Sequence, residues 1–145
     1  MNKTFKFIIL FYVLFNFLNT SLSNENFFRK GLELFKDKKY NDARFMFERS
    51  IVFNPKDSNA YLYLAKIYNI QENQKKEEKN LEATLLIEPD NEEALLMSMN
   101  VALEKSNYSK VRKLSKVFSK VCVKLCVKNK SILETLDNLE PNNES

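Results

Sequence analysis

Two cysteines are the most reactive side chains in the sequence. Cys122 and Cys126 are its only cysteines, and they stand four residues apart. In an oxidising compartment an even cysteine count suggests a disulfide. Residues four apart in a regular helix have Cβ atoms about 5–6 Å apart, whereas a disulfide needs about 3.5–4.5 Å. The pair therefore forms either an intrachain disulfide, for which the helix must bend or end between them, or two buried or half-buried thiols.

The composition argues against catalysis and against metal binding. The sequence contains no histidine, which is the commonest general base near neutral pH and a common metal ligand. Two thiols without histidine make a poor metal site, and their spacing is not that of a thioredoxin-type motif. A single glycine in 145 residues leaves no glycine-rich phosphate loop. We therefore expect no enzyme, no metal and no cofactor.

A basic stretch precedes and surrounds the cysteines. From Lys105 to Lys130 there are nine basic residues and no acidic one. Apolar residues recur through this stretch at helical spacing, which predicts an amphipathic helix with lysines on its polar face. That face either makes a weak contact with acidic lipid headgroups or an acidic partner, or is simply solvated. We expect no nucleic acid as partner, because the formal net charge is only +4. The lysines of this face are Lys113, Lys116, Lys120 and Lys124.

The elements that position these residues follow a repeat. The segment from Asn54 to Ala60 contains Pro55, and the similar segment from Glu88 to Ala94 contains Pro89, 34 residues later. A fixed period of 34 residues with a proline at each joint is typical of stacked helix-turn-helix units. One glycine and three prolines in 145 residues supply almost no turns for sheets, so the sequence predicts an all-α fold.

In detail, the repeat resembles the tetratricopeptide repeat (TPR) family. The residues of the first unit that carry the resemblance are Phe27, Gly31, Leu34, Tyr40, Ala43, Phe47 and Pro55. Ser50 departs from the usual alanine, and Glu77 stands in the second unit where Ala43 stands in the first. The resemblance implies a right-handed α-solenoid of about three TPR helix-turn-helix units with a C-terminal capping helix.

The repeat also predicts the domain boundaries. Ser131 to Glu134 is a capping-box sequence, so a short helix is expected to start at Ile132 and to cover the last hydrophobic face. The predicted segments are a signal peptide (1–23), TPR unit 1 (24–57), TPR unit 2 (58–91), TPR unit 3 with an extended second helix (92–128), a capping helix (131–140) and a disordered tail (141–145).

The TPR resemblance further implies a binding groove, because the first helix of each unit lines a concave surface in that family. TPR proteins that clamp a terminal carboxylate use Lys, Asn and Arg, whereas here only Lys66 and Asn100 are polar at the matching positions. The resemblance therefore implies a peptide or protein segment that is apolar, with self-association into a homo-oligomer as the alternative. The expected groove residues are Phe28, Leu32, Phe35, Leu62, Lys66, Asn69, Leu96, Asn100 and Leu103.

The N-terminus has the order of a secretory signal. Lys3 and Lys6 accompany an apolar run over residues 7–18, and Ser21 to Ser23 offer small residues for cleavage. The run is short for a membrane span, which needs about 20 apolar residues. We therefore predict an exported protein of the bacterial periplasm or a secreted one, with anchoring through uncleaved residues 7–18 as the alternative. Cleavage after Ser23 would lower the net charge to +2, since the removed segment holds two lysines and no acid.

Overall fold

The computed structural model describes residues 26–139, so the predicted signal peptide and disordered tail lie outside the described residues. All regular secondary structure within this range is helical. The chain forms two compact units, the first ending at Tyr63 and the second beginning at Leu64. The helices are α1 (residues 26–36), α2 (Tyr40–Phe53), α3 (Ser58–Ile70), α4 (Gln74–Ile87), α5 (Glu92–Glu104), α6 (Tyr108–Val121) and α7 (Cys126–Leu139).

The repeated proline segments are helix N-caps. At the start of α3, Asp57 Oδ1 accepts a hydrogen bond from the backbone N–H of Ala60 at 3.1 Å. At the start of α5, Asn91 Oδ1 accepts the equivalent bond from Ala94 at 2.9 Å. Both alanines are completely buried, so a larger side chain would not fit there. The recurrence seen in the sequence thus repeats one cap and one close packing point.

The turns inside the helix pairs repeat as well. Lys38, Glu72 and Ser106 have positive φ angles of 60°, 54° and 53°, and they lie 34 residues apart. Each is the left-handed residue that ends a helix, and the next residue donates its N–H to a carbonyl five positions back. These bonds run from Lys39 to Leu34 (2.9 Å), from Asn73 to Tyr68 (2.8 Å) and from Asn107 to Ala102 (2.8 Å).

In the first unit, α1 and α2 approach closely at Gly31. A Cβ built on Gly31 would come within 2.7 Å of the Phe47 ring, so only glycine fits without displacement. Phe47 also stacks on Tyr63, with ring centroids 5.2 Å apart. Ser50, the departure from the TPR pattern, is fully buried and donates through Oγ to Asp57 Oδ2 at 3.0 Å. A serine is tolerated there because its hydroxyl has a partner.

The second unit has a hydrophobic core contributed by α5, α6 and α7. Its fully or almost fully buried members include Leu95, Met99, Val111, Phe118 and Leu136. Leu95 and Met99 are four residues apart on α5, and Val111 and Phe118 are seven apart on α6, so each pair lies on one face of its helix and that face is turned to the common core.

Side-chain hydrogen bonds also join α6 and α7. Asn129, on the buried side of α7, donates through Nδ2 to the Ser119 Oγ of α6 at 2.9 Å. Ser119 in turn donates to the Ser115 carbonyl at 2.9 Å. This short chain of hydrogen bonds fixes α7 against α6 at a defined register, because a shift along the helix would leave the Asn129 amide without its acceptor.

Two helix boundaries differ from the sequence prediction. The second helix of TPR unit 3 was expected to reach residue 128, and the capping helix was expected to begin at residue 131. In the structure α6 ends at Val121 and α7 already begins at Cys126. The backbone N–H groups of residues 123–125 donate to the Glu92 side chain and are therefore not available to a continuous helix. α2 begins at Tyr40 with no side-chain cap.

Among residues 26–139 no helix is both long and apolar enough to cross a membrane. The apolar run over residues 7–18, predicted as a signal peptide or alternatively as a membrane anchor, lies outside this range.

Candidate functional site

The second unit contains an open groove between α5 and α7. Its volume is about 630 Å³. The floor and walls are apolar, from Leu96 and Met97 of α5 and from Leu125 and Ile132 on the other side. Polar side chains stand around these residues and complete the lining, namely Glu93, Asn100, Lys128 and Ser131. A concave apolar surface with a few polar groups at its edge is the usual form of a binding site.

Helical spacing explains why these residues meet. Glu93 and Met97 are four residues apart on α5, as are Leu96 and Asn100, so both pairs project from one side of the helix. Lys128 and Ile132 have the same spacing on α7. The sequence predicted that α7 would only cover the last hydrophobic face. In the structure α7 also forms one wall of the groove.

The loop between α6 and α7 is fixed by one carboxylate. Glu92, in the first turn of α5, accepts hydrogen bonds from three successive backbone N–H groups, at 2.8 Å from Val123, 3.1 Å from Lys124 and 2.7 Å from Leu125. Successive N–H groups that converge in this way form an anion-binding nest. The hydrogen bonds, that of Val123 foremost, lower the pKa of Glu92 below its usual value. Leu125, a groove residue, is thereby held in place.

A disulfide closes the same loop. Cys122 and Cys126 are bonded to each other, with Cα atoms 5.3 Å apart. Of the two sequence interpretations, this structure has the bridge rather than two thiols, and the required break in the helix lies between Val121 and Cys126. The bridge and Glu92 together constrain the segment that leads into the α7 wall of the groove.

The polar residues expected in the groove have different surroundings. Asn100 is exposed and lines the groove, whereas the Lys66 Nζ pairs with the Glu93 carboxylate at 2.8 Å. Asn69 donates through Nδ2 to Glu77 Oε1 at 3.1 Å. Lys66 is therefore neutralised by a partner at the groove edge, and the amide of Asn69 is engaged with α4.

Glu77 is a buried carboxyl where the TPR pattern has alanine. Only 3% of its surface is exposed. Burial raises its pKa; the hydrogen bond from Asn69 opposes this, and the negative charge of Glu104 adds to it. α4 nevertheless forms a regular helix over Gln74–Ile87, because Asn73 caps it by accepting the N–H of Lys76 at 3.2 Å.

The apolar residues expected in the groove are all buried or half-buried. Leu62 and Leu96 are almost fully buried, and Leu103 packs partly buried against the core of the second unit. Within the first unit, Phe28 and Phe35 are half-buried and contact the Tyr63 ring, with centroids 5.9 Å and 5.2 Å apart. Leu32 is also half-buried. Their role in binding stays a prediction.

Six groove residues were not expected from the sequence. Glu93 and Met97 lie on α5 beside the predicted Leu96 and Asn100, and the sequence shows that these two are four residues apart. The other four belong to the loop and α7, and no local pattern indicated that α7 would face α5 across an open space. These four residues are Leu125, Lys128, Ser131 and Ile132. Within residues 26–139 no cluster of metal-ligating side chains occurs.

Comparison of the sequence with protein-family models and with curated proteins gives no match. Solved structures do match. The type III secretion chaperone SycD of Yersinia enterocolitica, in complex with a peptide of the translocator YopD, has a TM-score of 0.71 at 14% identity, over 79% of this chain and 92% of that one. The TPR domain of Arabidopsis OM64 has a TM-score of 0.72 at 17% identity, over 82% and 98%.

A third similar structure is the second TPR domain of human RPAP3 in complex with an HSP70 peptide, with a TM-score of 0.70 at 13% identity, over 81% of this chain and 98% of that one. Identities this low establish the fold alone. They confirm the resemblance found in the sequence and the predicted fold class, so this all-α chain has the TPR solenoid fold.

Proposed function

We propose that this TPR chain is a non-enzymatic binding protein that holds a segment of another protein in the groove between α5 and α7. One observation carries the proposal, the open groove of about 630 Å³, whose apolar lining residues are Leu96, Met97, Leu125 and Ile132. An extended or helical segment would place a bulky apolar side chain among these residues. Its backbone or polar side chains would meet Asn100 and Ser131 at the edge.

The ligand chemistry follows from the charges at the edge. Lys66 already pairs with Glu93, so the only cation that lines the groove without an ion pair among the described residues is Lys128. One exposed lysine does not provide the several donors of a carboxylate clamp, and the proposal therefore favours an internal apolar segment. Two of the similar structures contain peptides, of YopD and HSP70 respectively, which supports a peptide ligand as a class without naming one here.

Export is part of the proposal. The basic start, the apolar run over residues 7–18 and the small residues before Asn24 support a cleaved signal peptide. The Cys122–Cys126 bridge is consistent with an oxidising compartment such as the periplasm or the extracellular space. Intact-mass analysis of the protein from its own host should give an N-terminus at Asn24. The full-length chain in the membrane fraction would instead support an adaptor anchored by residues 7–18.

Self-association is a second candidate function, and a separate surface of the first unit favours it. Phe45, Val52 and Phe53 of α2 are 51%, 77% and 43% exposed. Exposed apolar side chains on one element mark contact sites more often than chance. Light scattering over a range of concentrations tests this candidate: a monomer at all concentrations would rule it out, and a dimer lost on Val52→Asp would support it.

Affinity capture tests the groove. The full chain is used to capture proteins from the exported fraction of the host, in parallel with two single variants. Met97→Asp places a charge in the groove at a residue that is only half-buried. Leu86→Asp makes the same kind of change at an 85% exposed residue of α4 that does not line the groove. Circular dichroism first establishes that both variants are folded.

We expect one partner to be retained by Leu86→Asp and lost by Met97→Asp. Burial of a charge in an apolar contact should lower the affinity for the partner's isolated segment by a factor of about 100, equivalent to ~2.7 kcal/mol. A partner captured equally by both variants would bind elsewhere, and the groove would then not be the binding site.

A further inference from the structure

The outward face of α6 carries lysines that have no acidic partner within residues 26–139. Lys113, Lys116 and Lys120 follow one another at intervals of three and four residues, so they share one face of the helix. All three are exposed. By contrast, Lys105 and Lys110 earlier in this stretch both pair with Glu78. Part of the basic stretch is thus neutralised, while this part is left with its charge uncompensated.

Exposed valines lie among these lysines. Val117, between Lys116 and Lys120, is 41% exposed, and Val123 in the following loop is 82% exposed. The opposite side of α6 is the buried one, with Val111 and Phe118 in the core. Neither valine is buried, although valine is normally one of the residues most often buried.

The loop that carries Val123 and Lys124 is already ordered. Its N–H groups are bound to Glu92, and the disulfide closes it from Cys122 to Cys126. The carboxylate that binds the loop is that of Glu92, and both of its oxygens already accept hydrogen bonds from these N–H groups. A surface of this kind loses little conformational entropy when it binds, which favours association.

We propose that this basic face, consisting of Lys113, Lys116, Val117, Lys120, Val123 and Lys124, binds the surface of an anionic phospholipid bilayer. The ammonium groups contact the lipid phosphates, and the valines enter the interfacial layer. The lysines alone would bind any polyanion and therefore do not distinguish a bilayer from an acidic protein. The exposed valines favour a bilayer, because an interface offers an apolar layer next to the charged headgroups, whereas a solvated acidic polymer does not. This function uses a different surface from the groove and does not depend on it.

Vesicle binding tests the proposal. The full chain is mixed with vesicles of phosphatidylcholine, or of phosphatidylcholine with one quarter phosphatidylglycerol, and the bound fraction is measured by sedimentation. Residues 1–23, with Lys3, Lys6 and the apolar run, are present in every variant, so their contribution cancels when variants are compared on the same vesicles. We expect a strong preference for the anionic vesicles that falls as salt is added.

The decisive comparison is between two triple variants with the same change in net charge. Lys113→Gln, Lys116→Gln and Lys120→Gln together should reduce the anionic preference about 100-fold, since each basic residue near such a surface contributes roughly fivefold. The control changes three exposed lysines elsewhere that have no ion pair within residues 26–139, namely Lys56, Lys75 and Lys79. It should keep the preference nearly unchanged. An equal loss in both variants, or no anionic preference in the original chain, would overturn the proposal.

Val123→Ser separates a bilayer from an acidic protein. Replacement of two inserted methyl groups by one hydroxyl should weaken partitioning by about 15-fold, and this loss should persist at high salt because apolar insertion is not screened. Polyglutamate serves as the acidic probe without an apolar layer. If the lysine variant loses binding to polyglutamate and vesicles alike while Val123→Ser changes neither, the partner is an acidic protein and the lipid proposal is wrong.

Discussion

The carboxylate of Glu92 lies 2.7 Å from the backbone nitrogen of Leu125, so the first turn of α5 is bound to the residue that precedes α7. The same carboxylate accepts the N–H groups of Val123 and Lys124. This contact accounts for the end of α6 at Val121, because N–H groups donated to a side chain are no longer available to a continuing helix. It also positions Leu125 at the groove.

Glu92→Gln should destabilise the protein and remove part of its acid sensitivity. Because the folded-state pKa of Glu92 is lowered, its ionised form contributes stability above the usual carboxyl pKa, and this contribution is lost as the pH falls through the folded-state value. Thermal melts between pH 7 and pH 3 should show a Tm for Glu92→Gln that is a few degrees lower at pH 7 and converges with the original at low pH. Glu33→Gln, at an exposed position of α1, is the control. Parallel pH profiles for the original chain and Glu92→Gln would contradict this role.

Reduction of the Cys122–Cys126 bridge should lower the free energy of unfolding by about 2 kcal/mol. The bridge has a sequence separation of only 4, and in the chain-entropy model so short a loop gives a small contribution. Denaturation in urea, with and without reductant, measures the difference. The variant with both cysteines changed to serine should match the reduced protein and should not respond to reductant. A loss several times larger would mean that the bridge does more than close this loop.

Ala43 and Glu77 occupy equivalent positions in successive TPR units, and substitutions at the two positions should have opposite effects on stability. Ala43→Glu should cost on the order of 3 kcal/mol, because Ala43 is completely buried and the new carboxylate would have neither space nor a partner. Glu77→Ala should be neutral or stabilise by up to about 1 kcal/mol, since it removes a buried carboxylate. Urea denaturation of both variants at pH 7 provides the comparison, and equal destabilisation would contradict the equivalence.

The pH dependence of Glu77 has the opposite sign to that of Glu92. Burial raises the folded-state pKa of Glu77, so ionisation costs stability as the pH rises from the usual carboxyl pKa through the raised one. Below the usual pKa this cost is absent. Glu77→Gln should therefore gain stability relative to the original chain as the pH is raised from 4 to 7.

Glycine at the left-handed turn residues should stabilise the protein. Glu72→Gly and Ser106→Gly relieve a positive φ angle that disfavours side chains, and each should gain about 0.5–1 kcal/mol after allowance for the greater freedom of the unfolded chain. Thermal melts of each variant measure the gain. Lys79→Gly, at an exposed position in the interior of α4, is the control and should cost about 1 kcal/mol. Destabilisation at both turns would mean that their side chains contribute contacts that outweigh the strain.

The local repeat determined much of the architecture in advance. Pro55 and Pro89, with Ala60 and Ala94, indicated the TPR units, and the similar structures confirm that fold. This was readable because each TPR unit uses the same cap, the same turn and the same close packing point, all formed by residues near one another in the chain. A fixed spacing in the sequence therefore corresponds to a fixed contact in space.

Contacts between residues far apart in the chain were decided only by the tertiary structure. The bonds of Glu92 to residues 123–125 and the pairing of Lys66 with Glu93 determine where α6 ends and which cations remain available at the groove. Neither contact belongs to the repeat, since each depends on how side chains of different helices meet after packing. The sequence by itself determined the repeated helix pairs, and tertiary packing decided where α6 ends and that α7 would form a wall of the groove, because both require the α6–α7 loop to be bound to α5.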